Sequence, residues 1–266
     1  MDLKKLELRA KNIILMALED NVNDLPIVAG NSGGKDSAVL DFILKKYWFN
    51  YKSIYTNTTI DPKGTIGHIR KYYPHTTILQ PKETFYQLIE RKGLPTRLNR
   101  YCCEFLKEYA SVGKMIFEGV RSSESHKRKG RNYIHIDDRK WQKGAIHVYP
   151  IYDWTDENVY EYIDLNNIIL PPVYKYSDRL GCVACCAISR KGHREKELEY
   201  NPLVRKNIVK AITRGMAKNP QWKLTCATDG NGELAILWWL SGKTMNQYFD
   251  QYNFVGKKGV GWEKDI

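Results

Sequence analysis

Apolar residues in the first half of the chain switch repeatedly between two periods. Short apolar runs at Ile27–Ala29, Tyr51–Thr56, Thr76–Leu79 and Met115–Val120, and one ending at Ile146–Pro150, read as buried strands. Between them, apolar positions recur at helical spacing. They do so from Asp36 (Ala38, Val39, Phe42, Ile43), around Ile66–Tyr73, over Thr84–Arg91 up to Gly93, and from Cys102 to Val112. Strand and helix in alternation predict an α/β fold, a parallel twisted sheet with helices on both faces. An amphipathic helix precedes it: Leu3, Leu6, Ala10, Ile13, Ile14, Ala17 and Leu18 share one face. From about Tyr176 the texture turns basic and α-rich, with a helix predicted over Pro202–Ala217 and an aromatic tail over Ala235–Leu240 and Tyr248–Phe254. The expected division is a docking helix at 1–20, an α/β domain at 21–175 and a basic appendage at 176–266.

Composition narrows the class. Hydrophobic residues are 42% and charged residues 27% of 266, as in a globular protein, and no run approaches a membrane span. The first helix is charged throughout and lacks a small-residue cleavage site, so a docking helix and a cytoplasmic location are expected, with no membrane partner. A net charge of +12 favours a polyanionic partner, nucleic acid first. Nine Lys/Arg fall between 190 and 218 against three Glu.

The most specific string is Ser32-Gly33-Gly34-Lys35-Asp36-Ser37, between the first strand and its helix. Glycines let the backbone approach an oxyanion, a helix N-terminus offers free N–H groups, and Lys35 adds a point charge. It is not a Walker A loop: Ala29 stands where that motif needs glycine, and Asp36 follows the lysine. The cysteines form Cys102-Cys103, a Cys182-x-x-Cys185 pair with Cys186 beside it, and a lone Cys226. In a cytosolic chain such groups read as metal-binding or catalytic. Four thiolates could hold an iron–sulfur cubane or a zinc ion, and adjacent cysteines suit two irons of one cluster better than one zinc.

The loop resembles the PP-loop of the ATP pyrophosphatase (adenine nucleotide alpha hydrolase-like) superfamily. Further motifs are similar to its PAPS reductase family, in the iron–sulfur branch: Tyr55-Thr56-Asn57-Thr58 through Pro62 and Thr65; Arg100 to Lys107 around Cys102-Cys103; Gly119-Val120-Arg121-Ser122-Ser123-Glu124-Ser125 with Arg128; Pro150-Ile151-Tyr152-Asp153-Trp154-Thr155-Asp156; and Leu170 through Cys185. The resemblance implies a 4Fe–4S cluster on Cys102, Cys103, Cys182 and Cys185. It implies a nucleotide cradled by Ser32, Gly33, Gly34, Lys35, Asp36 and Ser37, with Asn57, Arg121, Glu124, Ser125 and Arg128 beside it. Lys35, Asp36 and Arg121 are the expected catalytic set, Asp36 as a candidate Mg2+ ligand. Two departures stand against a sulfonucleotide reductase: the loop is intact, and Gly261–Ile266 carries no Glu-Cys-Gly motif.

The leading expectation is therefore an ATP-using sulfur transferase. It would act on nucleic acid (DNA or tRNA), as DNA-phosphorothioation proteins and tRNA thiolases do, with a sulfur donor such as a cysteine desulfurase. The alternative is an APS/PAPS reductase with Cys226 or Cys186 as nucleophile. A third class, a metal-stabilised nucleic-acid-binding module without catalysis, leaves the intact loop unexplained.

Overall fold

The computed structural model describes residues 2–47, 49–124, 128–137, 139, 142, 144–188 and 190–249. In chain order the elements are α1 (Leu3–Glu19), β1 (Ile27–Gly30), α2 (Lys35–Lys46), β2 (Lys52–Thr56), α3 (Thr65–Tyr72), β3 (Thr77–Leu79), α4 (Phe85–Lys92), α5 (Tyr101–Leu106), β4 (Met115–Phe117), β5 (Ile134–Asp137), β6 (Ala145–Val148), α6 (Asp156–Leu165), α7 (His193–Tyr200), α8 (Pro202–Lys218), α9 (Lys223–Thr228), α10 (Gly232–Ser241) and α11 (Met245–Phe249).

Two compact units divide the chain. The first comprises residues 1–82 and 103–182, the second 83–102 and 183–266. The expected boundary at 175/176 thus falls at 182/183, and the helix α4 belongs with the C-terminal helices. The reason is packing: α4 lies against α8, and Gly215 of α8 sits so close to the Glu90 backbone that a Cβ there would be 2.9 Å from its carbonyl oxygen.

In the first unit the sheet order is β3-β2-β1-β4-β6-β5. All neighbours are parallel except β5, which runs antiparallel to β6 at the edge. The sheet is therefore mixed and mostly parallel, flanked by helices. β5 was not expected, because Ile134-His135-Ile136-Asp137 exposes Ile136 and lacks a continuous apolar run. The main core joins Leu6, Ala10 and Ile14 of α1, Val39, Leu40 and Ile43 of α2, Phe117 and Val148 of the sheet, and Val159 and Ile163 of α6. Each of the buried Leu, Ile, Val and Phe side chains contributes about 1.5–3 kcal/mol relative to exposure. On the opposite sheet face Val28, Ile54 and Ile116 meet Ala110, which lies in a 3-10 turn at Glu108–Ala110. The helix expected over Cys102–Val112 stops at Leu106, where Lys107 leaves the helical region at φ −128°.

Chain direction matters for the site. The chain leaves β1 toward β2 on one side, while β4 pairs with β1 on the other. The crevice beyond the carboxyl ends of β1 and β4 is thus a topological switch point, where open α/β sheets bind ligands. No helix of the described residues is long and apolar enough to cross a membrane.

Candidate functional site at the switch point

The loop 31–34 is built by its own side chains. Asn31, buried at the end of β1, accepts from Gly33 N at 2.9 Å and donates to Thr76 Oγ1 at 3.3 Å. Gly33 takes φ +75°, in the region that favours glycine. Ser32 Oγ lies 3.1 Å from Ser37 Oγ, and Ser37 donates to Gly34 O at 3.0 Å. Gly34 caps α2 without a side-chain acceptor, so the first helical N–H groups are left for other partners. One partner is internal: Lys35 N donates to the Tyr174 hydroxyl at 2.8 Å. Burial, with Asp36 nearby, raises the Tyr174 pKa, so it stays a phenol.

Four charged side chains meet here. Lys35 Nζ is 3.1 Å from Asp36 Oδ2 and 3.2 Å from Asp156 Oδ1. Arg121 Nε donates to Asp36 Oδ1 and its Nη2 to Asp156 Oδ1, both at 2.7 Å. Its Nη1 donates to Ser123 Oγ at 2.9 Å and the Trp154 carbonyl at 3.3 Å. The Arg121 side chain is 1% exposed, whereas that of Asp156 is 58% exposed. Burial opposes charge on Arg121, yet Asp36 and Asp156 outweigh it and raise its pKa. Burial pushes Asp156 up, but Arg121 and Lys35 hold its carboxyl below the usual range. Gly119 makes this closeness possible, since a Cβ there would stand 2.7 Å from the Asp36 carbonyl carbon.

The expected residues separate into groups. Lys35, Asp36 and Arg121 come together, with Ser32, Gly33, Gly34 and Ser37 around them. Glu124 accepts from Arg121 N at 3.0 Å and pairs with Arg128, so both brace the loop after β4. Asn57 ties the ends of β2 and β3, donating to Gln80 Oε1 at 2.8 Å while its N–H bonds Leu79 O at 3.0 Å. Ser125 lies outside the described residues, as does the tail beyond Phe249. Asp156 and Tyr174 were not on the expected list. Asp156 opens α6 behind a Thr155 capping box, and its adjacency to the Asp-Trp-Thr string was the available signal. A further pair sits at the carboxyl end of β4: His147 Nδ1 is 2.7 Å from Glu118 Oε2, and Nε2 is 3.1 Å from Gln142 Oε1. Burial would lower the His147 pKa, but Glu118 and Asp137 reverse the sign and raise it.

None of the six cysteines is in a disulfide; Cys102, Cys103, Cys182 and Cys185 are partly exposed, Cys186 is buried and Cys226 exposed. Cys103 and Cys182 belong to the first unit, Cys102 and Cys185 to the second. Among the described residues, no three His, Cys, Asp or Glu side chains converge as a metal would require. In the second unit the basic run is partly neutralised. Arg205 pairs with Glu233, Arg214 and Lys218 pair with Glu90, and buried Arg194 donates to Leu240 O over the Trp239 ring. Lys206 and Lys210 are exposed on α8.

Residues 26–188 match the phosphoadenosine phosphosulfate reductase domain. An uncharacterized protein of Methanocaldococcus jannaschii is 31% identical over 211 residues, covering 74% of this chain and 50% of its own. The chain spans half or less of the length of the curated relatives it matches first. An adenosine 5'-phosphosulfate reductase of Lysinibacillus sphaericus is 27% identical over 172 residues, covering 60% of this chain and 72% of its own. Among solved structures, Candida glabrata FMN adenylyltransferase with FAD and inorganic pyrophosphate superimposes at TM-score 0.50 and 17% identity, over 68% of this chain and 64% of that one. At that identity the likeness concerns the fold alone.

Proposed function

Since the chain belongs to the phosphoadenosine phosphosulfate reductase domain family, we propose that it binds ATP on the loop 32–37 and activates a nucleic-acid oxygen for replacement by sulfur. The observation that carries this reading is the complete loop at the switch point, with Lys35 and Arg121 converging beside its N–H groups. In the first step an acceptor oxygen attacks the α-phosphorus, the bond to the bridging oxygen breaks, and pyrophosphate leaves. Lys35 offsets the charge that develops on the phosphate oxygens, and the α2 N-terminus adds its dipole. Asp36 and Asp156 are the acidic groups at hand for the Mg2+ that accompanies ATP. In the second step sulfur at the sulfide level attacks the activated centre and AMP departs, with no net redox change.

Cys102, Cys103, Cys182 and Cys185 are the proposed holders of a 4Fe–4S cluster. Four partly exposed cysteines outside any disulfide are a donor set that suits iron, and the cluster would carry the sulfur. The net charge of +12 supports a polyanionic acceptor, DNA or tRNA, and a cysteine desulfurase is a suitable sulfur source.

A second reading is an adenylyl-sulfate reductase, favoured by the identity to the Lysinibacillus enzyme. There a cysteine thiolate attacks the sulfonyl sulfur, the S–O bond breaks and AMP leaves; a thiol reductant then releases sulfite. Exposed Cys226 is the more accessible candidate, because Cys186 is buried. Anaerobically purified protein assayed with ATP, APS and PAPS separates the two readings. Pyrophosphate from ATP supports the first, and sulfite from APS or PAPS replaces it with the second.

A further inference from the structure

One guanidinium near the loop, that of half-buried Arg179, keeps a buried nitrogen without a hydrogen-bond partner. Among the described residues, the buried side-chain polar atoms without a hydrogen bond are Thr58 Oγ1, His68 Nε2, Trp238 Nε1 and Arg179 Nη1. Only the last belongs to a group that is charged at every physiological pH. A desolvated donor on a permanent cation is costlier to leave unmade than a neutral one, so it calls for an acceptor.

Its position says which acceptor. Arg179 lies on the segment that covers the loop. Five residues before it, Tyr174 places its hydroxyl on Lys35 N. The next residue, Leu180, packs on the glycines: a Cβ at Gly33 would meet Leu180 Cδ2 at 3.6 Å, and one at Gly34 would meet Leu180 Cβ at 3.4 Å. A tight turn fixes the backbone, with Ser177 Oγ donating to Arg179 O at 3.0 Å and accepting from Arg179 N at 3.4 Å. The guanidinium then folds over Gly181, where a Cβ would stand 2.2 Å from Nη2 and 3.1 Å from Cζ. Any side chain at 181 would push it away. Its charge also acts at the Tyr174 hydroxyl. Arg121, by contrast, is already committed to Asp36 and Asp156.

We propose that Arg179 is an oxyanion ligand of this site, donating through Nη1 to a tetrahedral phosphate or sulfate group of the nucleotide held on the loop 32–37. The guanidinium and Lys35 thus bracket the bound anion, and Gly181 is there to let the arginine lie flat. This assignment rests on the nucleotide reading above and adds a residue to it.

The test is calorimetric titration of the full chain, purified anaerobically, with ATP, pyrophosphate, AMP and inorganic sulfate. Wild type, Lys35→Ala, Arg179→Ala and Arg179→Lys are compared. Loss of one charge-assisted bond should weaken ATP by roughly ten- to a hundredfold in Arg179→Ala, with an unchanged thermal midpoint. Arg179→Lys should fall between, keeping charge but losing the fork. A parallel loss for pyrophosphate places Arg179 on the leaving group, a loss for AMP places it on the α-phosphate, and a loss for sulfate alone places it on the sulfonyl end of a sulfonucleotide; each supports the assignment. If Arg179→Ala does not fold, Arg179→Lys carries the same comparison. Affinities within twofold of wild type for all four probes, while Lys35→Ala weakens them, overturn the role of Arg179 alone. If wild type binds none of the four, or Lys35→Ala binds them as tightly, the nucleotide reading itself falls and takes this assignment with it.

Discussion

Gly119→Ala tests whether the site depends on the close approach of β4's exit loop to α2. The added methyl would lie 2.7 Å from Asp36 C, 2.8 Å from Asp36 O and 2.9 Å from Ser37 N. All three are backbone atoms in the first turn of a helix, so none can swing aside. Restoring ordinary contact from 3.4 Å outward needs a separation of 0.7 Å (3.4 minus 2.7). Transmitted along the loop, that shift would stretch the Arg121 Nε to Asp36 Oδ1 bond from 2.7 Å to about 3.4 Å, near the limit of a hydrogen bond. Overpacking costs about 1–3 kcal/mol, and the weakened charge-assisted bond places the total near the upper end. Gly67→Ala is the matched control. It lies within α3 with nothing inside 4 Å of its Cβ position, so alanine's helix propensity should stabilise by about 0.5–1 kcal/mol. Urea unfolding of the two variants should therefore give opposite signs, and ATP affinity should fall only for Gly119→Ala. A Gly119→Ala protein as stable as wild type, binding ATP equally well, would refute the claim that this contact shapes the site.

Three other predictions follow from named contacts. Because the His147 pKa is raised, its contribution to stability is complete below the ordinary value of 6.5 and is lost as pH climbs through the raised folded value; His147→Asn should flatten the pH dependence of the unfolding midpoint in the window from 6.5 up to that raised value. Lys206→Ala with Lys210→Ala should reduce the log–log salt slope of nucleic-acid binding by about 1.4–1.8 and leave ATP affinity unchanged; an unaltered slope would remove α8 from the interface. Cys102→Ser or Cys182→Ser should abolish the iron and sulfide of the anaerobic preparation while Cys226→Ser retains them, and zinc without iron in the wild type would contradict the cluster.

The legible parts of the fold were those with local signals. The run Ile27–Ala29, the glycine turn and the periodic Ala38, Val39, Phe42 and Ile43 identify strand, loop and helix without tertiary information, and α4 ends at Gly93 with φ +79° as its sequence suggests. Elements that depend on distant partners were less legible. β5 exists because β6 offers it an edge, not because its own residues alternate cleanly. Charge in a window likewise misjudges charge on a surface. The run at 190–218 is strongly basic in sequence, nine Lys/Arg against three Glu, but Arg205, Arg214 and Lys218 find their carboxylates on Glu233 and Glu90, far outside that window. In the site, Lys35, Asp36 and Arg121 were readable as motif residues. Their mutual neutralisation through Asp156, and the Tyr174 hydroxyl on Lys35 N, arise only when separate loops are brought together.

The most direct measurement is product formation by the anaerobic protein supplied in parallel with ATP and a nucleic-acid acceptor, and with APS or PAPS and a thiol reductant. Pyrophosphate release from ATP, lost in Lys35→Ala and unaffected by Cys226→Ala, is the predicted result. Sulfite release from APS or PAPS, abolished by Cys226→Ala and accompanied by no pyrophosphate from ATP, would contradict it.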